Sequence, residues 1–83
     1  MEDKKNKMEF TLEDLKPGEK GKVISVKGEE NLKKRLLDMG VVPGAEIKLE
    51  KVAPLGDPID ILVKGYHLSL RKKEAGNILL ERV

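Results

Sequence analysis

The sequence predicts a small, mainly β domain: a strongly curved sheet or partly closed barrel of about five short strands, with one helix inserted between the first and second. Three observations carry this prediction. Short runs rich in Val, Ile and Leu alternate between apolar and polar positions, most clearly at 46–52 and 59–63. Turn residues recur at short intervals, with Pro-Gly pairs at 17–18 and 43–44. Only the stretch from Gly28 to Gly44 carries a helical period. With 83 residues there is room for one core, and a chain of this size buries only about 60% of the surface it exposes when unfolded. Closing a small sheet removes exposed edges, whereas a two-layer sandwich needs more chain.

Residues 1–9 are polar apart from Met1 and Met8 and read as an arm, leaving 10–83 as a single domain. Thr11 followed by Asp14 resembles a capping box, so one helical turn is expected there, with Phe10, Leu12 and Leu15 as apolar contacts. Lys16-Pro17-Gly18-Glu19 has the proline and glycine that a type II turn demands. Lys20–Val26 reads as a strand of imperfect alternation, in which Gly21 permits a bulge or a close crossing. Leu32, Leu36 and Met39, widened by Leu37, form the apolar stripe of a surface helix. Two starts are open for that helix: Asn31 as cap, or a start near Gly28 that puts Glu29 and Glu30 in the first turn. Its end is better defined. Gly40 suits a left-handed position, Val41 folds back on Leu36, and Pro43 forbids continuation.

Val42-Pro43-Gly44-Ala45 repeats the Pro-Gly turn before a strand at 46–52, where Val52 falls out of phase unless a bulge lies near Glu50 or Lys51. Ala53 to Pro58 is a loop, since two prolines disfavour a strand ladder. Ile59, Ile61 and Val63 alternate in the next strand, Gly65 with Tyr66 and His67 reverses the chain, and Leu68–Leu70 returns. Arg71 to Ala75 makes a short helical turn stopped by Gly76, and 78–83 is a final strand with two partly apolar faces.

The chemistry is sparse. There is no cysteine, hence no disulfide and no thiolate metal site, which fits a reducing compartment. The single histidine, His67, has no serine or cysteine partner in a catalytic pattern, so no catalytic residue is assigned. Asp57, Asp60 and His67 are the oxygen and nitrogen donors a divalent metal could use, though their spacing matches no compact zinc or calcium motif. No glycine pattern builds a nucleotide loop. Seventeen basic against fifteen acidic side chains leave a charge of +2, and with Phe10 and Tyr66 as the only aromatics nucleic-acid binding is not expected. The basic clusters Lys33-Lys34-Arg35 and Arg71-Lys72-Lys73 read as solvated faces. The start of the chain lacks the apolar stretch of a secretion signal, and no segment approaches the ~20 apolar residues of a membrane span, so a cytoplasmic protein is expected. Leu55 is an apolar side chain at a loop tip, and with the outer side of the helix it is a candidate docking element.

Three runs, LEDLKPGEKGKVISV (12–26), LKKRLLDMGVVPG (32–44) and PLGDPIDILVKGYHLSLRKKEAGNILLE (54–81), together resemble the FeoA family, small cytosolic proteins associated with bacterial ferrous iron uptake. Arg35-Leu36, Met39-Gly40, Pro43-Gly44, Gly56-Asp57-Pro58 and Leu70-Arg71 carry the match, while Lys34 stands where many relatives have arginine, keeping charge but losing the planar fork. The resemblance implies an SH3-like barrel with a helical insertion. It further implies a non-enzymatic accessory role on the FeoB-type ferrous iron transporter, with membrane contact only through that partner. Docking is then expected through Lys33, Lys34, Arg35, Leu55 and Asp57. The fold module also resembles C-terminal domains of metal-dependent repressors. The alternatives are therefore a metal-responsive or metal-binding module, holding Fe²⁺ or another divalent ion weakly at Asp57, Asp60 or His67, and a small nucleic-acid module. A homo-oligomer built on strand edges is also open.

Overall fold

The structure, a computed structural model, describes residues 9–83. Six strands form one antiparallel sheet in the order β1-β6-β2-β3-β4-β5, with β1 Glu9–Thr11, β2 Lys20–Val26, β3 Glu46–Val52, β4 Ile59–Val63, β5 Tyr66–Leu70 and β6 Ile78–Glu81. Helix α1 (Glu30–Asp38) lies between β2 and β3, and the four-residue α2 (Lys72–Ala75) between β5 and β6. The expected arm falls outside the described residues except for Glu9, which pairs with Glu81. The strand β1 is additional to the expected set, because three residues carry no readable period and are held extended only by pairing with β6.

Local signals account for most boundaries. Gly18 and Gly44 both have φ near +94°, at +93° and +94°, and each turn closes with its i to i+3 bond: Glu19 N–H to Lys16 O at 2.9 Å and Ala45 N–H to Val42 O at 2.9 Å. These turns also bind the opposite strands. Gly18 N–H donates to Leu49 O and Leu49 N–H to Glu19 O, while Gly44 N–H donates to Val23 O and Val23 N–H to Ala45 O, at 2.8–3.0 Å. The two Pro-Gly-strand units are thus related by a local two-fold centred on the pair Gly21↔Ile47.

Helix α1 takes the earlier of its two open starts, with Glu29 as N-cap and Glu30 in the first turn. It ends in a Schellman motif: Gly40 (φ +98°) donates to Leu37 O and Val41 N–H to Leu36 O, both at 3.0 Å, and Leu36 and Val41 are fully buried. The 3-10 turn Leu12–Asp14 follows Thr11, whose N–H donates to the Asp14 carboxylate at 3.0 Å.

Irregular alternation in β2 has its cause in a bulge between Val23 and Ser25 rather than at Gly21. Gly21 instead allows close packing: a Cβ there would lie 2.9 Å from Leu80 Cδ1 and 3.3 Å from Phe10 Cε2. In β3 the expected bulge is present between Leu49 and Lys51, bringing Val52 opposite Ile59. The reversal after β4 uses Lys64 (φ +53°) and Gly65 (φ +84°), so Tyr66 and His67 belong to β5 rather than to the turn. A two-residue loop with both φ values positive matches the twist of the flanking strands, and this leaves no room for a longer turn. The last strand ends at Glu81 and turns Ile78 and Leu80 inward, against Val26 and Val23 of β2. The core joins these residues to Leu12, Leu36, Val41, Ile47, Leu49, Ile61, Val63 and Ala75, and contains no polar or charged residue among those described.

Candidate functional site

Helix α2 meets two of the predicted docking residues, Asp57 from the β3–β4 loop and Arg35 from α1. Its N-cap is Arg71, a side chain that cannot accept the amides of the first turn, so the caps come from carboxylates. Glu74 reaches back to accept from Arg71 N–H at 2.9 Å. Asp57, fifteen residues away in the β3–β4 loop, accepts from Lys72 N–H at 3.0 Å. That bond ties the loop to α2 and holds its tip in place, with Leu55 left 95% exposed.

A second tie runs from α2 to α1. The Arg35 guanidinium donates to the other oxygen of Glu74, a residue whose side chain is 12% exposed against 60% for Arg35. Among the described residues this is the one ion pair within salt-bridge distance. One carboxylate therefore caps α2 and anchors α1. Beside it, Gly28, Asn31, Leu32 and Arg35 face Lys73, Glu74 and Asn77 across a shallow groove.

The structure thus places the loop, α2 and α1 in one contiguous strip. Of the expected contact residues, Lys34 and Leu55 are exposed, Lys33 is half-buried, Arg35 is partly engaged by Glu74, and Asp57 spends one oxygen on α2. Sequence reasoning treats Arg71–Lys73 as a solvated face and misses its place between the other two elements. The legible signal was Glu74 three residues after Arg71, the spacing of a capping box; the contacts to Asp57 and Arg35 had none.

The metal candidates are not gathered. Asp60 accepts from Ser69 Oγ at 3.1 Å across the β4–β5 pair, and His67 stands opposite Leu62 in the next pair but one, while Asp57 is turned to α2. Among the described residues, no three His, Asp or Glu side chains come together in a way that could hold a metal ion. No helix among them is long and apolar enough to cross a membrane.

Comparison with known proteins matches the FeoA domain model to residues 10–82. A fusion of Fe(2+) transport protein A with the Fe(2+) transporter FeoB from Porphyromonas gingivalis is 35% identical over 72 residues, covering 87% of this chain but only 8% of that protein. The solution structure of a FeoA-like protein from Clostridium acetobutylicum superposes with a TM-score of 0.83 at 42% identity, covering 92% of this chain and 88% of that one. A zinc-complexed FeoA from Stenotrophomonas maltophilia, described as a prokaryotic SH3 domain protein and a candidate ferrous iron transport activating factor, gives 0.77 at 26% identity, covering 87% and 89%. The mainly β, SH3-like architecture implied by the sequence resemblance is the one these structures share.

Proposed function

This chain belongs to the FeoA domain family, and from that premise we propose that it is a non-enzymatic, cytoplasmic accessory protein of ferrous iron uptake that docks on a FeoB-type transporter. The observation that supports this most is the Porphyromonas gingivalis relative, in which the matching domain and FeoB are parts of one polypeptide. Covalent fusion holds two domains at high effective concentration, an arrangement that serves partners which otherwise associate. In this chain the docking elements are the outer side of α1, with Lys33, Lys34 and Arg35, and the loop that carries Leu55 and Asp57. The ties through α2 hold these parts in fixed relation. The chemistry of a docking module needs no reacting group, only a rigid scaffold that presents side chains.

The test is capture of the purified chain by the cytoplasmic domain of its cognate transporter, with and without guanine nucleotide, beside the variants Lys34→Ala and Leu55→Ala. Saturable binding that both variants weaken supports the reading. Variants that stay folded and bind and support iron uptake like the parent remove the surface assignment, and absence of binding to both the domain and the intact transporter removes the function.

A further inference from the structure

The chain's +2 charge is close to balanced, yet around α2 the balance is broken by how the side chains point. Arg71, Lys72 and Lys73 are consecutive and all exposed. Two carboxylates beside them are engaged by the fold: Asp57, itself exposed, accepts from Lys72 N–H, and Glu74, nearly buried, accepts from Arg71 N–H with one oxygen and from Arg35 with the other. These two carboxylates are committed to hydrogen bonds that hold α2, while the side chains of Arg71, Lys72 and Lys73 are exposed; Glu13, also exposed, lies at the far end of α2 beside Gly76. Leu55, 95% exposed, stands on the loop that Asp57 ties to this cluster.

We propose that Arg71, Lys72 and Lys73 form the central part of the docking surface, and that the protein surface they meet is acidic and accommodates Leu55. The inference rests on the transporter reading above and adds the chemistry of the partner face. Charge complementarity of this kind speeds encounter and sets orientation, and it weakens as salt screens it. Lys72 and Lys73 suit a test because α2 is held by backbone amides, not by their ammonium groups, so Lys72→Glu with Lys73→Glu leaves both caps in place.

The measurement is the affinity of the full chain for the cytoplasmic domain and for the intact transporter as salt rises. Raising it from about 50 to about 200 mM is expected to weaken binding about tenfold, and the double reversal to weaken it about tenfold at low salt while flattening the salt dependence. The same reversal at the cross-strand pair Lys20 and Lys48, away from the loop, is expected to change affinity less than about twofold. Binding that ignores both salt and the α2 reversal overturns the inference and leaves the transporter reading standing. Absence of binding to either form of the transporter overturns both. Equal losses from the α2 and the Lys20/Lys48 reversals overturn it in favour of net charge. Normal transporter binding by the α2 variant, with loss of sedimentation on phosphatidylcholine vesicles containing phosphatidylglycerol, overturns it in favour of a lipid surface.

Discussion

Two regions of this molecule use the same turn residues to opposite ends. At the β2–β3 seam, Pro17-Gly18 and Pro43-Gly44 bend the chain so that each turn binds the other's strand through backbone amides. In the β3–β4 loop, Pro54, Gly56 and Pro58 bend it away from the sheet; its own bonds, Gly56 N–H to Ala53 O and Ala53 N–H to Pro58 O, are internal, and Leu55 is left in solvent. The difference lies in what the turn finds beside it. A neighbouring strand with unsatisfied amides converts a turn into a structural clasp, whereas a loop past the end of the ladder is held by side chains. The seam is therefore inseparable from folding, and the loop–α2–α1 strip can be altered without unfolding the chain.

The largest expected effect falls in the core that the seam and the strip share. Leu36→Ala removes a fully buried side chain that also backs the Schellman ending, and should cost about 2–5 kcal/mol in denaturant unfolding. Gly21→Ala comes next. The new methyl meets Leu80 and Phe10, and a loss of about 1–3 kcal/mol is expected; no loss would mean that the two strands do not pack as closely as the contrast requires. The local two-fold gives a sharper test. Gly18→Ala and Gly44→Ala place a side chain at positive φ in open space, so each should cost about 1–2 kcal/mol, and the two losses should match; a twofold disparity would break the equivalence of the turns.

Effects in the strip are smaller. Asp57→Ala removes a cap from α2 and should lower stability by about 1 kcal/mol, a change readable as a shift in thermal midpoint. Leu55→Ala should shift it least, within about 0.5 kcal/mol, since the side chain touches no core. If Leu55→Ala destabilised the chain as much as Leu36→Ala, the distinction between the folded core and the exposed loop would fail.

Much of this was legible residue by residue. The boundaries of β2 and β3, the bulge after Leu49, both Pro-Gly turns and the end of α1 follow from patterns a few residues long, in which a proline, a glycine or a change of phase has one low-energy solution. The polar outer side of α1 and the exposed tip at Leu55 were legible as exposed faces, because an apolar stripe defines its polar opposite and a loop tip has no core to enter. His67 was misplaced into a turn because the sequence 65–67 does not reveal that Lys64 adopts positive φ; the partner strand decides that.

The sequence by itself therefore determined the mainly β class, the order of the main elements and the helix that interrupts them, since hydrophobic period and turn chemistry act over a few residues. Tertiary structure decided the rest. Extension of β1 needs β6, the inward face of β6 is chosen by the β2 strand it pairs with, and the union of loop, α2 and α1 depends on Asp57 meeting Lys72 and Arg35 meeting Glu74 across 15 and 39 residues of chain. A carboxylate near an orphan amide is stabilising wherever it comes from in the sequence, so its partner is named only when the fold brings the two together.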